Sequence, residues 1–171
     1  YNAEINYDNI TILTENASVA RYIFKFFKTH YNISIRLTVR VQKKFKIKND
    51  KKTVLFFVGG GNGALLNLIY FKEMLKNDYD CNILFISGKN KRAESLAKEY
   101  VARYKKKNVK VYGFVTNVSE FYQVSDLVIT KPGGAQVTEC LYFERPMILI
   151  KGNGGQELEN RKYLVNKGYA K

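Results

Sequence analysis

The chain has 171 residues, 46% hydrophobic and 26% charged, and 29 basic residues against 15 acidic ones give it a net charge of +14. Such a composition fits one soluble globular domain with its own buried core, and no apolar run reaches the length of a membrane span. Two cysteines and one histidine exclude a disulfide framework and a zinc site, so no metal is expected.

The first residues lack the pattern of a signal peptide, and a cytoplasmic location is expected. Cys81 and Cys140 are then expected to be reduced and buried, and the sequons at Asn9, Asn16, Asn32 and Asn117 are chance matches.

From Asn9 the pattern predicts a short strand, Ile10-Thr11-Ile12-Leu13, and a helix from Ser18 to His30. Ser18 would cap that helix, and Val19, Ile23, Phe26 and Phe27 would form its apolar face. The densest charge follows: Arg36, Arg40, Lys43, Lys44, Lys46, Lys48, Lys51 and Lys52 against Asp50 alone. This stretch is either a solvated linker or a patch for an anionic membrane surface, where each charge gains about 1 kcal/mol. Nucleic acid is not an expected partner, because the aromatics fall on strand and helix core positions rather than on a stacking platform.

Beyond the basic stretch, strands are predicted at Thr53–Val58, Asn82–Ile86, Val109–Tyr112, Leu127–Ile129 and Met147–Ile150. Helices are predicted between and after them, at Ala64–Lys76, Lys91–Lys107, Val118–Val124, Ala135–Phe143 and Glu157–Asn166. The alternation implies an α/β fold, a Rossmann-like parallel sheet with helices on both faces. Ligands of such sheets bind outside the strand carboxyl ends, where the turns at Gly59, Gly133 and Gly154 fall.

Gly59, Gly61 and Ala64 satisfy G-x-G-x-x-A, but the second strand runs into Ser87-Gly88-Lys89 with no carboxylate for a ribose, so a dinucleotide site is disfavoured. The Walker pattern fails too, since Asn90 follows Gly88-Lys89. Gly60, Gly61, Asn62 and Gly63 are therefore a tight turn or a loop that lets a phosphate or sugar approach the backbone. Lys131-Pro132-Gly133-Gly134 leads straight into a helix start, whose partial positive charge adds to that of Lys131 and suits a diphosphate without a metal. Glu139 lies too far into that helix to cap it; it is a solvent-facing glutamate or a ligand for both ribose hydroxyls. Gln156 and Glu157 either serve the next helix start or grasp adjacent sugar hydroxyls.

Together these residues resemble the nucleotide-binding, C-terminal half of GT-B glycosyltransferases. The match is to glycosyltransferase family 28, in the branch of monogalactosyldiacylglycerol synthases and bacterial diacylglycerol glucosyltransferases. Val58 to Asn67, Ile129 to Glu139 and Gly155 to Asn160 carry it. The resemblance implies an inverting transfer from a UDP-sugar to diacylglycerol with no metal or other cofactor, at the inner face of the cell membrane. It implies that Phe114 and Val115 hold uracil through their backbone, and that Gly133 and Gly134 face the diphosphate. Glu139 would bind the ribose, Gln156 and Glu157 the transferred sugar, and Asn160 would brace the last loop, with Gly60 to Gly63 beneath the phosphates.

On this reading residues 1–35 are a remnant of the acceptor domain, 36–52 a basic linker, and 53–171 the UDP-sugar-binding domain, ending before the closing helices. The chain then reads as a fragment, or the ordered part, of a longer enzyme, and is inactive alone because the expected base lies in the missing half. Two departures stand out: Arg36-Leu37-Thr38-Val39-Arg40 replaces a Gly-Ile-Pro-like segment, and Asn62 stands where histidine is common. The alternatives are a UDP-N-acetylglucosamine-dependent transferase of peptidoglycan precursors and a non-catalytic nucleotide-binding or membrane-recruitment module.

Overall fold

The computed structural model describes residues 44–47, 50–59, 64–152 and 154–171. The chain divides into two units, Tyr1–Arg40 and Val41–Lys171, and every described residue belongs to the second. The strand and helix expected between Ile10 and His30, and the loop Gly60 to Gly63, lie outside the described residues.

Five strands form one sheet: β1 (Thr53–Phe57), β2 (Asn82–Ile86), β3 (Val109–Tyr112), β4 (Leu127–Thr130) and β5 (Met147–Leu149). All pair in parallel, in the order β3-β2-β1-β4-β5. A parallel sheet is covered on both faces, which is why β1 (TVLFF) and β2 (NILFI) are almost continuously apolar and buried. On one face Phe56 and Val58 meet Leu68 and Phe71 of α1 (Ala64–Leu75) and, with Phe85, Ala93 and Ala97 of α2 (Lys91–Arg103). On the other, Leu55 and Phe57 pack with α3 (Val118–Val124), α4 (Gly134–Tyr142) and Leu164 of α5 (Gln156–Asn166).

Polar groups fix the sheet's lower edge. The Asp126 carboxylate accepts from the Thr53 N–H at 2.8 Å and from Lys52 Nζ at 2.9 Å, while the Asp126 N–H donates to the Thr53 carbonyl at 2.8 Å. These bonds tie the entries of β1 and β4, the two strands that flank the future site.

Helix ends depart from expectation where a positive φ appears without glycine. α2 stops at Arg103 rather than Lys107, because Lys105 takes φ +52° and closes the end: its N–H reaches the Ala102 carbonyl and that of Lys106 the Val101 carbonyl, each at 3.1 Å. α4 ends the same way through Glu144 (φ +54°), and only α5 uses a glycine, Gly168 (φ +72°). This left-handed closure satisfies the last carbonyls in all three.

Phe45, within the stretch read as linker, is 5% exposed and packs on Phe121 and Tyr112, with ring centroids 4.4 and 6.0 Å away. Lys44, Lys51 and Lys52 pair with Glu120, Asp80 and Asp126. The described part of this stretch is therefore built into the domain, and three of its cations already have counter-charges. Cys140 is buried as expected, whereas Cys81 is only half-buried, at the bend before β2.

Candidate functional site

The strand order reverses between β1 and β4, since the chain moves outward to β3 on one side and to β5 on the other. At such a switch point the loops at the carboxyl ends diverge and leave a crevice. Gly59 leaves β1 with φ +82°, and a Cβ there would lie 3.0 and 3.1 Å from Cδ and Cε of Lys131. Only glycine permits both the conformation and the approach of the two loops. The buried Asn67 amide of α1 holds this exit by donating to the Val58 carbonyl at 2.9 Å.

Lys131 projects from the end of β4 and forms an ion pair with Glu157 of α5. Their side chains are 16% and 18% exposed, so the pair is largely withdrawn from water. The Gly133 N–H donates to the Lys131 carbonyl at 2.8 Å, which tightens the turn, and Asn160 Nδ2 donates to the Pro132 carbonyl at 2.9 Å. Asn160 thus braces the β4 exit from α5. Gly152 lies against Glu157 so closely that a Cβ would fall 2.6 Å from Glu157 Oε2. Lys131, Gly133, Glu157 and Asn160, read separately from the sequence, therefore form one cluster.

α2 begins with a side-chain cap, Asn90 Oδ1 accepting from the Ala93 N–H at 2.9 Å. α4 and α5, which open onto the crevice, begin at Gly133 and Gly155 without one among the described residues. The first N–H groups of α4 are left for solvent or a ligand, whereas in α5 those of Glu157 and Leu158 donate to the Gly154 and Gly155 carbonyls at 3.2 and 3.0 Å; each helix start carries about half a positive charge. Gly134 has open space around it, and Gln156 is exposed. Gln136, which the sequence reading missed, places its Oε1 3.1 Å from where a Gly133 Cβ would be.

The exit of β3 carries Phe114 and Val115. Phe114 is 61% exposed, with the Lys89 ammonium 5.3 Å from its ring centroid, while Val115 packs against the core. Glu139 is half-buried on the part of α4 that meets Tyr122 of α3. The Tyr122 hydroxyl lies beside the Glu139 carboxylate and the Cys140 thiol, 3.5 Å from the Gln136 carbonyl oxygen. Burial pushes the Tyr122 phenol far above its usual range and the Cys140 thiol up to about 12, so both are neutral.

Beside the Lys131–Glu157 pair lies a cavity of about 790 Å³, bounded by Leu66, Ile69 and Tyr70 of α1 and by Leu158 and Arg161 of α5. Its size falls within the usual range of small-molecule sites, about 300–1,000 Å³. Among the described residues no group of His, Cys, Asp and Glu side chains is arranged to hold a metal ion, and no helix is long and apolar enough to cross a membrane.

Among curated proteins, the chain is 32% identical over 131 residues to the processive diacylglycerol beta-glucosyltransferase of Bacillus licheniformis, covering 77% of this chain and 34% of that protein. It is 33% identical over 133 residues to the enzyme of that name from Bacillus subtilis, covering 76% of this chain and 34% of the relative. The chain thus spans about a third of the length of these relatives. Among solved structures it is similar to Acinetobacter baumannii MurG, with a TM-score of 0.62 at 18% identity over 77% of this chain and 38% of that one. It is also similar to Anabaena HepE, solved in complex with UDP and glucose, with a TM-score of 0.55 at 16% identity over 72% of this chain and 35% of that one. At these identities the two structures speak for the fold alone.

A model of the WhiA N-terminal LAGLIDADG-like domain matches residues 6–55, most of which lie outside the described ones. The model of the glycosyltransferase family 28 C-terminal domain matches residues 53–171, the whole of the sheet and its helices. The chain therefore belongs to glycosyltransferase family 28 and carries that family's C-terminal domain.

Proposed function

We propose that this domain binds the UDP-sugar donor of an inverting glycosyltransferase that transfers a hexose, glucose by analogy with the relatives, to diacylglycerol. The observation that carries the reading is the crevice at the strand switch point, where two uncapped helix starts flank the Lys131–Glu157 pair. The N-terminus of α4, which opens at Gly133 and Gly134, faces the diphosphate with the backbone N–H groups of its first turn from Gly134 onward, and Lys131 adds its charge. Phe114 and Val115 offer backbone groups to uracil, Glu139 accepts from the ribose hydroxyls, and Gln156 and Glu157 take those of the sugar. Asn160 holds α5 against the β4 exit, and the loop Gly60, Gly61, Asn62 and Gly63 lies beneath the phosphates.

In the transfer, the acceptor hydroxyl oxygen bonds to the anomeric carbon as its bond to the UDP oxygen breaks. The proton passes to a base outside this domain, and the negative charge growing on UDP meets the helix dipole and Lys131. Lys131 must then exchange Glu157 for phosphate, which frees Glu157 for the sugar. No metal is required in this scheme. Recruitment to the cytoplasmic face of the membrane would draw on the basic excess that remains after the ion pairs described above.

Calorimetric titration of the chain with UDP tests the reading, and a folded sample that binds no UDP would overturn it. Glu139→Ala is expected to weaken UDP binding by about 1–3 kcal/mol, the cost of losing a charged hydrogen-bond partner. Competition among UDP-glucose, UDP-galactose and UDP-N-acetylglucosamine separates glycolipid synthesis from peptidoglycan-precursor synthesis.

A further inference from the structure

We infer that Asn67 is a positioning residue for Lys131: its side-chain amide holds the peptide unit that joins Val58 to Gly59, and that unit is the wall on which the Lys131 stem lies. The inference rests on the reading of Lys131 as a ligand for the diphosphate.

Asn67 stands in the first turn of α1, on the buried face it shares with Ala64, Leu68 and Phe71, and is 4% exposed. Asparagine is a poor helix former, and a buried amide costs stability unless it is hydrogen-bonded, so an apolar side chain would serve the packing better. The amide is spent instead on the end of β1. There the Val58 N–H donates to the Ile86 carbonyl of β2 at 3.3 Å. The Val58 carbonyl points to the same side of its strand, but β2 has ended. Ser87 gives its N–H to the Tyr112 carbonyl of β3 at 2.9 Å, and Gly88 turns away at φ +61°. Asn67 Nδ2 takes the place of the missing rung, 2.9 Å from the Val58 carbonyl oxygen.

The carbonyl so held belongs to the same planar unit as the Gly59 nitrogen, so fixing its oxygen sets the plane from which Gly59 departs. Gly59 leaves that plane at φ +82° and presents bare backbone to Lys131, whose Cδ and Cε would lie 3.0 and 3.1 Å from a Cβ there. The lysine stem is thereby held at the β1 exit while its ammonium pairs with Glu157. When the ammonium exchanges Glu157 for phosphate, the Gly59 contact remains and keeps the stem aimed at the crevice. Without the Asn67 bond the buried Val58 carbonyl loses this partner, the peptide unit is free to rotate, and the stem loses its wall.

The test measures UDP and, by competition, uridine on the 171-residue chain by calorimetry. Wild type is expected to bind UDP more tightly than uridine, which lacks the phosphates. Asn67→Leu, close in volume, should weaken UDP about fivefold to tenfold while leaving uridine nearly unchanged. Asn67→Ala serves as a second variant without the amide, and thermal melts establish that each is folded. In the Lys131→Met background the Asn67→Leu change should have no further effect on UDP. Unchanged UDP affinity, equal weakening of both ligands, or effects that add in the double variant would reduce Asn67 to a residue of the fold and overturn the inference alone. A wild type that binds UDP no better than uridine would overturn the reading of the site and this inference with it.

Discussion

Replacing Glu157 by glutamine should loosen the fold and tighten UDP at once, an opposition that only a shared ion pair explains. The two side chains of the pair are 16% and 18% exposed, between a surface pair, worth about 0–1 kcal/mol, and a buried one, whose breaking costs about 3–5 kcal/mol. A loss of about 1.5–3 kcal/mol is therefore expected for Glu157→Gln, because Lys131 keeps its charge without that counter-charge. For a chain of this size the melting temperature should fall by about 3–12 °C. The liberated ammonium then meets the diphosphate without competition, so UDP should bind about fivefold more tightly. UDP-glucose should not share the gain, since Glu157 is also assigned to the sugar. Lys131→Met should lower both stability and UDP affinity, and the two changes should be strongly non-additive. Differential scanning calorimetry and titration on the same samples provide both readouts. Weaker UDP binding by Glu157→Gln would refute the view that Glu157 holds Lys131 in reserve for phosphate.

Three further outcomes are expected. Lys105→Gly should raise stability by up to about 1 kcal/mol in denaturant melts, because Lys105 ends α2 at φ +52°, where glycine is unstrained. Hydrogen bonds from Lys98 and Lys91 hold the Glu94 carboxylate below its usual range. Its stabilising effect is present above the unfolded value of about 4.3 and is lost as pH falls through the lower folded value. Glu94→Gln should then be less stable than wild type at neutral pH and match it in strong acid, as read from denaturant midpoints. Burial lifts the Cys140 thiol to about 12 and raises that of Cys81 as well, so a colorimetric thiol reagent at mild alkaline pH should spare Cys140 in the native state and reach both cysteines in denaturant.

The sequence speaks clearly where its signals are local. β2 and α3 fall at their expected bounds, because an apolar run between turns and a short amphipathic segment each end where their pattern ends. The stop of α5 is equally legible, since Gly168 supplies the left-handed residue that ends it. α2 was read four residues too long, because a lysine takes that conformation and nothing in a lysine-rich run announces it. At the site, the glycine turns and helix starts are visible as motifs. The joining of Lys131 to Glu157, 26 residues apart, depends on β5 folding back beside β4. Phe45 likewise looks like one apolar residue among cations until Phe121 and Tyr112 are brought to it.

The strand order also bears on how the domain assembles. β1 meets β2 after a short excursion, Thr53 pairing with Asn82, but it meets β4 only when Val54 reaches Leu127. The β1–β2–β3 half can close through near-neighbour contacts, whereas the β4–β5 half must await most of the chain and pays a larger loop-closure entropy. The crevice runs along the seam between these halves. It is completed by the last pairing to form, and any opening between β1 and β4 dismantles it first. A nucleotide bound there would staple the seam, and the slowest-exchanging amides it adds should be those of β1 and β4.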